Sequence, residues 1–155
     1  EVFFSTTFGG EALSLAAAAA TIRTVQRENV CQHLWEAGAR LQAGFNRIAA
    51  HLSWNGPHPL AECVGPAVRP KLVFRDLEGK ESPLVKSLFM QEMVRRGVLL
   101  HSGALNLCLA HTREVVDATL NACEEALRVV LQAVVRGTVE AELDGLPYRE
   151  VFRRV

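Results

Sequence analysis

Apolar residues recur along this chain with two different periods, and the switch between them marks out its parts. From Glu11 to about Gln26 good helix formers dominate, and Leu13, Ala17 and Ala20 return at helical spacing on a small, smooth face. The run Ala16 to Ala20 makes that face suited to close packing. A second helix is predicted from about Val30 to Leu52, where Leu34, Ala37, Leu41, Phe45, Ile48 and Leu52 form an amphipathic stripe, with Glu28-Asn29 as the break before it. Asn55-Gly56-Pro57-His58-Pro59 then stops the helix with strong turn chemistry.

Beyond that turn the period shortens to two. Leu60 to Val64 and Val68 to Phe74 read as strands, with Val68, Leu72 and Phe74 on one side and Val73 on the other. After the polar turn Asp76 to Lys80, Ser82-Pro83 opens a helix that carries Val85, Leu88, Phe89 and Val94 and ends at Gly97. Val98 to Leu100 and Leu105 to Leu109 predict two further short strands around a Ser102-Gly103 turn. Thr112 is the expected N-cap of a last long helix whose buried face runs from Val116 through Leu120, Cys123, Leu127 and Val130 to Val134, closed by Gly137. The tail from Glu140 to Val155 carries enough Leu, Tyr and Phe to dock. The predicted class is α+β: long N-terminal helices leading to a small, largely antiparallel sheet covered by helices.

Chemistry concentrates at the start. Phe4-Ser5-Thr6-Thr7-Phe8-Gly9-Gly10-Glu11 reads as a strand end, a turn rich in hydroxyls and glycine, and a helix start. Such a turn offers hydroxyls and free backbone N–H groups at the positive end of a helix dipole, a ready site for a phosphate or another anion. The same residues also suit an ordinary capped helix start, with Ser5, Thr6 or Thr7 bonding the first free N–H groups. Glu11 has the charge to complement that helix end.

Charge narrows the remaining classes. Lys plus Arg and Asp plus Glu are 17 each in 155 residues, so the chain carries no basic footprint for nucleic acid or an anionic membrane surface. No apolar run approaches the roughly 20 residues needed to span a bilayer, and no leader pattern is present, so a soluble, cytoplasmic chain is expected. Cys31, Cys63, Cys108 and Cys123 lack close pairing and read as reduced, packed thiols. His33, His51, His58, His101 and His111 are equally scattered, and no metal set is expected. His111 reads as a capping or packing residue, Trp35 and Trp54 as core or interface, and Arg95-Arg96 and Arg153-Arg154 as solvated faces or helix-end charges.

The Ser5 to Glu11 string resembles the Ser-Thr-Thr-Phe-Gly-Gly signature of class III, fold type I, pyridoxal-phosphate aminotransferases, and especially their glutamate-1-semialdehyde aminomutase-like branch. Arg96-Gly97-Val98-Leu99-Leu100 and Leu109-Ala110-His111-Thr112, followed by Val116 to Leu120, are similar to two further elements of that family in order and spacing. The resemblance covers nearly the whole chain. It implies a C-terminal segment divided at 1–54, a phosphate-binding turn with connecting helices, and 55–155, a small α/β domain, with a large cofactor domain upstream. An opening of Glu1-Val2-Phe3-Phe4 without Met agrees with a start in mid-fold.

By that resemblance the chain serves a homodimeric enzyme with pyridoxal phosphate, acting on a small amine or amino-acid substrate, and the turn reaches the cofactor of the partner subunit. Thr7 is the implied phosphate contact, with Ser5 and Thr6 beside it and Gly9 and Gly10 allowing close approach. Two departures stand out: many relatives have Asn-Pro where this chain has Glu11-Ala12, and no Arg precedes a Pro-Pro or Pro-Leu pair to clamp a substrate α-carboxylate. Glutamate-1-semialdehyde-type, amino-sugar-type and ω-amine substrates stay open. The lysine that bonds the cofactor and the aspartate at its ring nitrogen would lie upstream of Glu1. Lys71, Lys80 and Lys86 read as solvated, so no residue here is assigned a catalytic role and the chain alone is expected to be inactive. Two other readings fit the residues: a truncated, noncatalytic dimerisation or interaction module using the Ala-rich helix, and a small anion-binding domain using the Ser5 to Gly10 turn by itself.

Overall fold

Helix starts in this protein are set by short-range capping chemistry, and the first is made by Glu11. The computed structural model describes residues 7, 9–52, 56 and 58–149. In it the Glu11 carboxylate accepts hydrogen bonds from the N–H groups of Leu13 at 2.9 Å and Ser14 at 2.6 Å, opening α1 (Ala12–Arg27). The chain breaks at the expected place: Asn29 takes a left-handed conformation, φ 49°, which asparagine tolerates better than most residues, and α2 (Val30–His51) follows. Ala37, Leu41 and Phe45 of the predicted stripe are buried, while Leu34, Ile48 and Leu52 are half-buried.

β1 (Ala61–Val64) and β2 (Lys71–Phe74) pair antiparallel, Ala61 opposite Phe74 and Val64 opposite Lys71. Leu72 and Phe74 join the core on one side of β2 as predicted, and Val73 on the other side is buried too, so both faces of this short ladder are covered. The other edge of β1 is closed by α2. Asn46 donates to the carbonyl of Cys63 at 3.0 Å and accepts from its N–H at 2.7 Å, and the Gln42 amide bonds the carbonyls of Cys63 and Gly65. These two side chains complete the strand as a neighbouring strand would.

Asp76 folds the next turn by accepting from the N–H groups of Glu78 and Lys80, with Gly79 at φ 80°. Ser82 caps α3 (Pro83–Arg95), and Pro83 stands at its first position as predicted. Thr112 caps α4 (Arg113–Arg136), which ends at Gly137, φ 70°. Helices α2, α3 and α4 and the ladder enclose one core, with Phe45, Phe74 and Phe89 at its centre, their ring centroids 4.7–6.4 Å apart. Burying each of these rings stabilises the fold by about 1.5–3 kcal/mol.

The two strands expected at Val98–Leu100 and Leu105–Leu109 do not form among the described residues. Contact with β2 is limited to an isolated bridge between Lys71 and Ala104 and one bond from Leu105 N–H to Pro70 C=O at 2.8 Å. Pro70 has no N–H to return, which ends the ladder there, and Leu99 is 88% exposed. The tail does dock. The Gln91 amide holds Glu142 C=O and Asp144 N–H, Ser87 Oγ accepts from Tyr148 N–H at 2.7 Å, and Arg95 pairs with Asp144.

Candidate functional site

The site predicted from the hydroxyl- and glycine-rich turn falls partly among the described residues. Thr7, Gly9 and Gly10 are exposed in a turn immediately before α1, while Ser5 and Thr6 lie outside the described residues. Gly10 has no positive φ, and a Cβ built on it would meet nothing within 4 Å. Among the described residues, neither backbone conformation nor packing calls for glycine there.

The helix end behind the turn differs from the sequence expectation. The N–H groups of Leu13 and Ser14 are already bonded to Glu11, so they are not free for an external anion. Hydrogen bonds from the Ser14 side chain and N–H, then from the Leu13 N–H, hold the Glu11 carboxyl below the usual glutamate range, so this end of α1 carries its own anion at neutral pH. The N-terminus of α1 is thus occupied by the chain's own carboxylate. The Glu11 departure from the Asn-Pro pattern thus has a structural meaning: it supplies the cap.

α1 itself has no buried residue. Leu13 is 77% exposed, Leu15 55% and Ile22 58%, and Trp35, at the start of α2, is 54% exposed rather than core. Trp54 lies outside the described residues. An apolar helix beside the turn is what a covering surface would use.

Of the lysines, Lys71 is half-buried near Glu81 and Lys80 is exposed, but Lys86 departs from the solvated reading. It is half-buried, donates to the carbonyl of Ser102, and lies over the Tyr148 ring with its Nζ 5.4 Å from the centroid. Arg95 and Arg96 are likewise more than a solvated face. Both grip the buried carboxylate of Glu92 at 2.6 Å, and Arg96 continues to Glu125, tying α3 to α4. His111 packs as expected, its Nδ1 accepting from the Cys108 N–H at 2.9 Å. The four cysteines are free thiols: Cys63 and Cys123 are buried, whereas Cys31 and Cys108 are exposed and not packed as the sequence suggested. Among the described residues no three His, Cys, Asp or Glu side chains gather to hold a metal, and no helix is long and apolar enough to cross a membrane.

No family model matches the chain. It is 30% identical over 103 residues to the diaminobutyrate–2-oxoglutarate aminotransferase of Rhizobium meliloti (strain 1021), a match that takes in 63% of this chain and 21% of that protein. Among solved structures it is similar to the pyridoxal-phosphate internal aldimine form of the FumI protein of Sphingopyxis sp. MTA144. That likeness has a TM-score of 0.71 and 25% identity, and covers 87% of this chain and 31% of the other. The chain thus spans less than a third of the length of either relative. Its helices and small antiparallel sheet match part of a fold type I pyridoxal-phosphate protein, and its relatives include an aminotransferase.

Proposed function

We propose that this chain is the C-terminal part of a pyridoxal-phosphate-dependent aminotransferase or aminomutase that moves an amino group between an amine and a carbonyl substrate. The observation that carries the reading is the likeness of 87% of the chain to a pyridoxal-phosphate protein at a TM-score of 0.71. In this reading residues 1–54 are the phosphate turn and connecting helices, residues 55–155 the small domain, and the cofactor domain lies upstream. The enzyme is a cytoplasmic homodimer in which Thr7, flanked by Ser5, Thr6, Gly9 and Gly10, reaches the cofactor phosphate of the partner subunit. The cofactor, when bound, supplies the electron sink for moving the amino group. This chain's own residues bind and orient: the Thr7 hydroxyl donates to phosphate, and the open flank at Gly10 lets that group approach. The glutamate-1-semialdehyde aminomutase-like branch is favoured by Glu11 after the glycines.

The test is the visible absorbance of the native gene product with pyridoxal phosphate, before and after borohydride. The expected result is a band that borohydride abolishes while the cofactor stays with the protein. Thr7→Ala should then weaken cofactor affinity by roughly 10- to 100-fold, the worth of a hydrogen bond to a charged group, with an unchanged fold. A product without such a band refutes the enzyme reading. The exposed Leu13, Leu15 and Ile22 of α1 would then favour the second reading, a noncatalytic dimerisation or interaction module.

A further inference from the structure

The α2–α4 seam holds a cavity of about 520 Å³, on different elements from the Thr7 turn. Its apolar lining comes from Ile48 and Leu120, one from each helix. A second hollow of about 310 Å³ continues it along the seam and shares Arg47, Asp117 and Leu120. Gly44 is what lets the helices come this close, since a Cβ there would lie 2.4 Å from Leu120 Cδ1.

The polar groups around this lining are unequal. Asp117 is engaged by Arg40 in a two-bonded pair at 2.6 and 2.7 Å, and Glu124 is engaged by Arg128. Both acids are thus paired with arginines, Arg40 and Arg128. Arg47, by contrast, has no hydrogen-bond or ion-pair partner among the described residues, nor have the side chains of its neighbours His51 and Asn121. The groups left without a partner among the described residues are one guanidinium, an imidazole and an amide, set around an apolar lining.

We propose that this seam cavity binds a small organic monocarboxylate with a short apolar body. A carboxylate matches the planar fork of Arg47 and takes a further bond from the Asn121 amide, while the apolar body covers Ile48 and Leu120. A phosphate fits less well, because it brings a second negative charge beside Asp117 and Glu124 and nothing to cover the apolar lining. The site is independent of the aminotransferase reading and is read by binding alone.

The experiment is ligand-observed NMR on the native gene product with 4-phenylbutyrate, using 4-phenylbutan-1-ol and inorganic phosphate as comparison probes. The expected result is saturable binding of the carboxylate at roughly millimolar concentration, as suits a ligand of about a dozen heavy atoms. R47M should weaken it about tenfold or more, and R47K, which keeps the charge but loses the fork, should fall between. Arg47 is exposed, so both variants are expected to fold, and their melting curves check this. Equal binding of the alcohol, tighter binding of phosphate, no saturable binding of the carboxylate, or an R47M affinity equal to wild type would each overturn the proposal.

Discussion

Alanine at Gly38 would place a Cβ 1.9 Å from the carbonyl oxygen of Ala67 and 2.5 Å from its carbon. Alanine at Gly44, six residues along the same helix, would place one 2.4 Å from Leu120 Cδ1 and 2.9 Å from Cδ2. Both substitutions gain the same helix propensity, about 0.8–1 kcal/mol. They differ in what must give way. Leu120 can turn its side-chain end aside, whereas Ala67 presents backbone, and moving it disturbs the loop that Gln42 holds through the carbonyl of Gly65 at 3.1 Å. Overpacking costs typically 1–3 kcal/mol, and losing that hydrogen bond about 1 kcal/mol more. After the propensity gain, Gly38→Ala should be less stable than wild type by about 2 kcal/mol, a fall in melting temperature of roughly 4–8 °C for a chain of this size. Gly44→Ala should stay within about 1 kcal/mol, because repacking one leucine and the propensity gain nearly cancel. Urea unfolding of both variants beside wild type measures this. A Gly38→Ala protein as stable as wild type, or less damaged than Gly44→Ala, would refute the reasoning.

Asn46→Ala should cost about 1–3 kcal/mol, read as a lower urea midpoint, because the N–H and C=O of buried Cys63 lose the side chain that satisfies them both. The Glu11 cap predicts a pH dependence with a definite sign. Its carboxyl is held below the ordinary range in the folded state, so its contribution is full above that range and is lost as pH falls through the depressed value. The helicity difference between wild type and Glu11→Gln, followed by circular dichroism, should be present at neutral pH and vanish in acid; a constant difference would contradict the cap. Burial pushes the Cys63 thiol up to about 11 and the Cys123 thiol up to about 12, so an aromatic disulfide reagent at mildly alkaline pH should titrate Cys31 and Cys108 in the native protein. All four should react once it is denatured.

Much of this protein was determined within a few residues at a time, and the sequence by itself revealed those parts. Ser82 and Thr112 start α3 and α4 because each side chain accepts from an N–H three positions on, and Asn29 and Gly137 break and end helices because each tolerates a left-handed backbone. The stripe through Ala37, Leu41 and Phe45 follows from helical period alone. The hydroxyls and glycines of the Ser5 to Gly10 turn were equally plain. That Leu13 and Ser14 spend their N–H groups on Glu11 depends on one side-chain conformation, which period and composition do not specify.

Tertiary structure decided whatever needs a partner distant in the chain. Leu105–Leu109 has strand-like residues, yet a strand exists only where a neighbour supplies both donors and acceptors, and Pro70 beside Leu105 supplies only the acceptor, while the Val98 N–H is spent on the carbonyl of Met93 at the end of α3. Asn46 closing the edge of β1, Arg96 reaching across to Glu125, and Gly38 and Gly44 admitting other elements against α2 all join groups that sequence spacing does not relate. The seam cavity is of the same kind. Arg47 and Asn121 face one hollow because two helices far apart in the chain cross at a glycine, and only packing brings them together.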